Sequence, residues 1–253
     1  MVDTQTDWTI VQSKECPAKD CLSEGERYDR EVSTSQKKSQ ISTESITFGS
    51  GKVLGRTTND KMCLETNWGK DICVETGFSF FEVTKTEGIA LLSQYSGILG
   101  VAPDDKATGP SFVDKLKEEG IIERKMISLL IQKKPLSSYV TFGGKTDFMM
   151  ITVNRTQPII WYNSTSLTNW KLKVMNTHIR DSEDKWKFHS IYEDDSNYGM
   201  ATVDSFFRAV LIPKGIFPDF IKLINKRYNQ TEGPAKGSVW CEDSDSKGIC
   251  WVN

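Results

Sequence analysis

Val2-Asp3-Thr4 near the start of the chain and Val203-Asp204-Ser205 near its end repeat one pattern: an apolar residue, an aspartate, then a hydroxyl residue. No other internal repeat stands out. Two carboxylates pressed together acquire different proton affinities, because like charge and burial leave one protonated while the other remains a base. Nearly the whole chain separates Asp3 from Asp204, so only a fold that returns the second segment to the first can join them. Apart, each is an ordinary solvated acid.

The other reactive residue types offer weaker chemistry. The sequence has no Gly-x-Ser-x-Gly elbow, no His-Glu-x-x-His helix and no phosphate-cradling Gly-x-x-x-x-Gly-Lys segment. His178 and His189 stand in charged stretches and read as solvated. Asp184, Glu193, Asp194 and Asp195 lack EF-hand spacing and read as a solvated loop. Six cysteines fall as local couples, Cys16 with Cys21, Cys63 with Cys73 and Cys241 with Cys250. Their even number predicts disulfides; with no Cys-x-x-Cys pair and no histidine nearby, a metal site is not expected, and no cofactor is called for. Asn154, Asn163 and Asn229 open glycosylation sequons, which agrees with an oxidising, secretory compartment.

Composition narrows the function further. The 32 basic and 34 acidic residues are scattered and leave a formal charge of -2, without the basic stripe that nucleic acid requires. The most apolar stretch, 88–102, is interrupted by Ser93, Gln94, Tyr95 and Ser96 and is too short to span a bilayer. At 253 residues the chain can bury a sizeable core, as one large domain or two lobes.

The elements that must position the aspartates read as strands. Short runs rich in β-branched and aromatic residues lie at 8–11, 45–48, 53–57, 72–75, 79–83, 139–142, 158–162 and 170–174, separated by Gly, Asn, Asp and Ser clusters. Phe48-Gly49-Ser50-Gly51 reads as a hairpin tip. Two helices are predicted. One follows an N-cap at Ser111 and buries Phe112, Val113 and Leu116; the other carries Phe217, Phe220, Ile221, Ile224 and Tyr228 along one face. The fold class is all-β with a few short helices.

Residues 2–16, with Asp3-Thr4 followed by a strand ending near Ser13 and Cys16, resemble the first active-site segment of the pepsin-like aspartic peptidases, the eukaryotic two-lobed endopeptidases. The likeness continues in order. Cys16 and Cys21 match that family's small disulfide loop, residues 46–51 its flap, and Ser96-Gly97-Ile98-Leu99-Gly100-Val101 the apolar-apolar-Gly strand that threads the first active-site loop. Val140-Thr141-Phe142-Gly143-Gly144 resembles a strand near the lobe boundary, Trp161 and Trp170 fall where the second lobe begins, and Ala201-Thr202-Val203-Asp204-Ser205 resembles the second active-site segment. The resemblance implies a two-lobed acid-protease fold, with lobes at 1–150 and 151–253 that lack their first and last strands, and no signal peptide in this chain.

It also implies roles. Asp3 and Asp204 are the expected catalytic pair, which shares one proton so that one carboxylate activates water and the other protonates the carbonyl oxygen. Phe48, Gly49, Ser50 and Gly51 form the expected substrate flap, and Thr4, Thr6 and Ser205 support the active-site loops. The partner is an extended peptide or unfolded protein, the chain a monomer, and the compartment secretory, either lysosome- or vacuole-like or extracellular. The family has glycine two residues after each aspartate, where this chain has Gln5 and Phe206; Thr6 is expected to brace the loops, with Phe207 at its partner position; and Phe48 replaces the flap tyrosine. These departures predict an impaired peptidase, with a peptide-binding pseudoenzyme as the alternative.

Overall fold

A computed structural model describes residues 1–21, 25–48, 51–66, 69, 71–88, 95–103, 109–132, 137–144, 160–174, 176–180, 186–190, 199–205, 239–241 and 250–252. The chain divides into two compact units. The first is Met1–Lys171 with Thr202–Phe206; the second is Leu172–Ala201 with Phe207–Asn253. Asp3 and Asp204 both belong to the first.

The first unit is built on a seven-stranded sheet. Its strands are β1 (Val2–Asp3), β2 (Ile10–Gln12), β3 (Lys37–Lys38), β4 (Ser45–Phe48), β5 (Gly51–Leu64), β6 (Ile72–Glu87) and β7 (Gly97–Gly100), in the spatial order β1-β7-β2-β6-β5-β3 with β4 paired to β5. Long β5 and β6 form the antiparallel spine, and the Cys63–Cys73 disulfide joins them at directly paired positions. The second predicted bond, Cys16–Cys21, closes the loop after β2.

Side-chain alternation divides the sheet into two cores. Phe81 and Val83 of β6 join Trp8, Ile10, Val53 and Ile98 on one face, while Phe78 and Phe80 join Leu99, Val101 and the helix on the other. That helix, α1 (Phe112–Glu118), starts where the sequence predicts: the Ser111 side chain accepts from the Asp114 amide, capping the first turn. Phe112, Val113 and Leu116 are its buried residues, and the Phe112 ring meets Phe78 and Phe142 edge to face. Phe142 lies on β9 (Tyr139–Phe142), which pairs with β8 (Ile127–Leu130).

Several expected strands take different bounds. The runs at 72–75 and 79–83 form one strand, because the register shift between Asp60 and Met62 and the positive φ of Gly77 let β6 bend without ending. Trp8 and Thr9 are not paired as strand, since they belong to the loop that wraps β7. Residues 160–162 are exposed and irregular; 158 and 159, like the predicted helix at 217–228, lie outside the described residues. The remaining described strands form pairs: β10 (Lys171–Val174) with β13 (Gly199–Thr202), β11 (Asn176–Arg180) with β12 (Trp186–Ser190), and β14 (Val239–Cys241) with β15 (Cys250–Val252). In the last pair Cys241 stands opposite Cys250 in register. Among the described residues, no helix is long and apolar enough to cross a membrane.

Candidate active site

Asp3 ends β1 and is held from below by β7. The two strands run parallel, Asp3 opposite Gly100; the Asp3 carbonyl accepts from the Val101 amide at 2.8 Å, and the Met1 carbonyl accepts from the Leu99 amide at 2.7 Å. The chain then loops over β7, where the Thr6 carbonyl accepts from the Ala102 amide at 3.0 Å. Gly100 makes this crossing possible: a Cβ there would lie 2.4 Å from the Trp8 carbonyl oxygen and 2.6 Å from that of Thr6. The segment resembling a threading strand therefore does pass beneath the Asp3 loop, and its glycine is a steric requirement.

The second aspartate segment is attached to the first by reciprocal hydrogen bonds. The Thr4 amide donates to Ser205 Oγ at 3.0 Å, and the Ser205 amide donates to Thr4 Oγ1 at 3.0 Å. The hydroxyls then donate onward, Thr4 to the Val203 carbonyl at 2.8 Å and Ser205 to the Val2 carbonyl at 3.0 Å. Each hydroxyl acts as both acceptor and donor, and each reaches the residue preceding the opposite aspartate. Trp170 fastens the arrangement from behind: its indole N–H donates to the Val101 carbonyl at 3.1 Å, and its own carbonyl accepts from the Val203 amide at 2.9 Å.

The brace expected at Thr6 is made elsewhere among the described residues; its partner position, Phe207, lies outside them. The Thr6 hydroxyl stays within its own loop, accepting from the Trp8 amide at 3.2 Å, whereas Thr4 and Ser205 make the crossing. The reason is directional. β1 ends at Asp3, so the side chain of the next residue leaves the strand towards the neighbouring segment. The signal was present in the repeat itself, which has a hydroxyl directly after each aspartate.

Asp3 is 1 % exposed. Burial, opposed by the Gln5 amide and aided by the Asp204 charge, pushes its pKa up to about 6. Of these three effects the Asp204 charge is the smallest. Asp204 itself is half-buried. Position 5 keeps the backbone contact for which the family uses glycine, since the Gln5 amide donates to Asp3 Oδ1 at 2.9 Å. The Gln5 side chain turns to the second segment, where Nε2 donates to the Val203 carbonyl at 2.6 Å. Phe206 and Phe207 lie outside the described residues.

The hairpin expected at 48–51 has its strand ends in place: β4 and β5 pair antiparallel with Phe48 opposite Gly51. Gly49, Ser50 and the Phe48 side chain lie outside the described residues. Of the three sequons, Asn163 is exposed, and Asn154 and Asn229 are outside the described residues. Among the described residues no group of His, Cys, Asp and Glu side chains is arranged to hold a metal ion.

The profile of the eukaryotic aspartyl protease family matches residues 1–248. The chain belongs to that family, and by family it is an aspartic peptidase. No curated protein matches it.

Proposed function

We propose that the chain is an aspartic endopeptidase of the secretory pathway that hydrolyses extended or unfolded polypeptides with Asp3 and Asp204. The observation that supports this most strongly is the reciprocal Thr4–Ser205 bonding, which holds the two aspartate segments side by side. Asp3, the more buried of the two acids, carries the shared proton, in keeping with its raised pKa; Asp204 serves as the base. Asp204 takes a proton from water as the water oxygen bonds to the carbonyl carbon, and Asp3 gives its proton to the carbonyl oxygen. The tetrahedral intermediate then collapses: the C–N bond breaks, the amine nitrogen gains the proton held by Asp204, and a hydroxyl proton returns to Asp3. No cofactor enters these steps.

A second reading, a peptide-binding chain without turnover, draws on the side chain of Gln5 where the family has glycine. Binding of a peptide carrying a hydroxyl in place of the scissile carbonyl tests the site itself. By calorimetry near pH 5, binding is expected for the native chain and at least a tenfold loss for Asp3→Asn, because the hydroxyl must sit between the two carboxyl groups. Equal affinity of both proteins overturns the assignment of the pair. Tight binding without cleavage of the matching amide favours the second reading.

A further inference from the structure

We propose that Gln5 is a positioning residue for the aspartate pair, its side-chain amide forming a strut between the two segments rather than an obstruction. This rests on reading Asp3 and Asp204 as the hydrolytic pair. Gln5 makes two bonds of different reach. Its backbone N–H holds the Asp3 carboxylate at 2.9 Å, and its side-chain N–H holds the Val203 carbonyl at 2.6 Å. One residue therefore fixes a carboxylate and the peptide plane leading into the opposite carboxylate. Glycine would supply only the first bond.

The Val203 carbonyl is a deliberate meeting point in this geometry. It accepts from Thr4 Oγ1 at 2.8 Å as well as from Gln5 Nε2, so two consecutive residues of the first segment fill both of its acceptor directions. A carbonyl held at two points cannot rotate about the backbone without breaking a bond, and its rotation is what would swing the Asp204 side chain. An amide donor also suits an acid-working site: it is neutral and keeps its proton at every pH at which the carboxyl groups titrate. A side-chain contact of 3.5 Å from Nε2 to the Thr4 carbonyl keeps the amide folded along the first segment.

The test compares Gln5→Met, which keeps the bulk and removes the donor, with Gln5→Gly, which removes both. A strut predicts that both lower kcat, by about tenfold, with KM within about twofold, because misplacement on the order of 1 Å acts on chemistry rather than binding. An obstruction predicts that Gln5→Gly raises kcat while Gln5→Met does not, and that result overturns the proposal. Gln5→Glu adds a pH signature. Protonated, it donates to the Val203 carbonyl and retains activity; ionised, it cannot, so its profile shifts to lower pH than that of the native chain. A readout without substrate separates this proposal from the functional reading. The Asp3 carboxyl carbon, followed by NMR, is expected to titrate lower in Gln5→Met by roughly half a unit or more, as the Asp204 segment relaxes and water enters. If the native chain cleaves nothing and this titration moves, the strut stands and the hydrolytic reading falls. An unchanged titration overturns the strut.

Discussion

Asp3 takes a raised pKa from burial beneath a loop that crosses β7, and that one value links stability to activity. An aspartate whose folded pKa stands near 6 binds its proton more tightly in the native state than in the unfolded chain. Its burial is therefore tolerated at acid pH, and native stability falls as pH rises from about 4 through 6. Relative to Asp3→Asn, the native chain is expected to lose on the order of 2–3 kcal/mol across that window in chemical unfolding. Parallel curves for the two proteins would show that Asp3 is not perturbed. In the proposed mechanism the same proton goes to the substrate carbonyl, so kcat/KM is expected to fall above about pH 6. At the exposed Asn163, expression through a secretory pathway is expected to add one glycan, seen as a mass loss in Asn163→Gln after intact-protein mass spectrometry.

The elements around the pair are locked by buried polar groups rather than by apolar packing alone. Glu82 of β6 is fully buried and accepts four hydrogen bonds from three residues: Ser13 at 2.7 Å, Thr58 at 2.7 Å, and Arg56 through Nε at 3.0 Å and Nη2 at 2.7 Å. Burial alone would raise its pKa, but Arg56, Thr58 and Ser13 outweigh it and the net direction is down. Glu82 thus ties β5, β6 and the residue after β2 together. Arg56→Met removes the cation hydrogen-bonded to Glu82 and leaves its charge facing Arg30, 3.7 Å away; a loss of about 2–3 kcal/mol is expected near neutral pH, shrinking at lower pH as Glu82 takes up a proton. A pH-independent loss would mean that Arg56 contributes by packing. Asp60 does a related job two residues beyond Thr58 on β5. It accepts from Tyr28 at 2.7 Å, Ser33 at 2.6 Å and Ser35 at 2.5 Å, which anchors the connection leading to β4. At the pair itself, Ser205→Ala removes both an acceptor for Thr4 and a donor to Val2. A cost of about 1–3 kcal/mol is expected in thermal unfolding, with kcat reduced more than KM is raised. The partnerships of Glu82 and Asp60 were not legible from the sequence, because Glu82 pairs with residues 24 to 69 positions away and no local pattern records such a distance.

At the scale of the whole molecule, what was legible was what repeats or alternates. The paired Val-Asp-hydroxyl segments, the strand periodicity of β4 and β9, and the Ser111 cap each carry their signal in a few neighbouring residues. The bend of β6 and the irregular course of Trp8 and Thr9 depend on Gly77 and Gly100 lying opposite particular partners, so they emerge only in three dimensions. The position of the brace belongs to the same class: the residue types were visible, but which hydroxyl crosses depends on where β1 ends. All of this geometry serves one claim, that Asp3 and Asp204 together hydrolyse peptide bonds. The most direct measurement is cleavage of an acid-unfolded protein, read by mass spectrometry between about pH 3 and 7, for the native chain, Asp3→Asn and Asp204→Asn. The predicted result is cleavage at acid pH that declines above about pH 6 and falls by a factor on the order of 10³ or more in each variant. Cleavage that persists in Asp3→Asn, or a folded native chain that cuts nothing across the range, contradicts the claim.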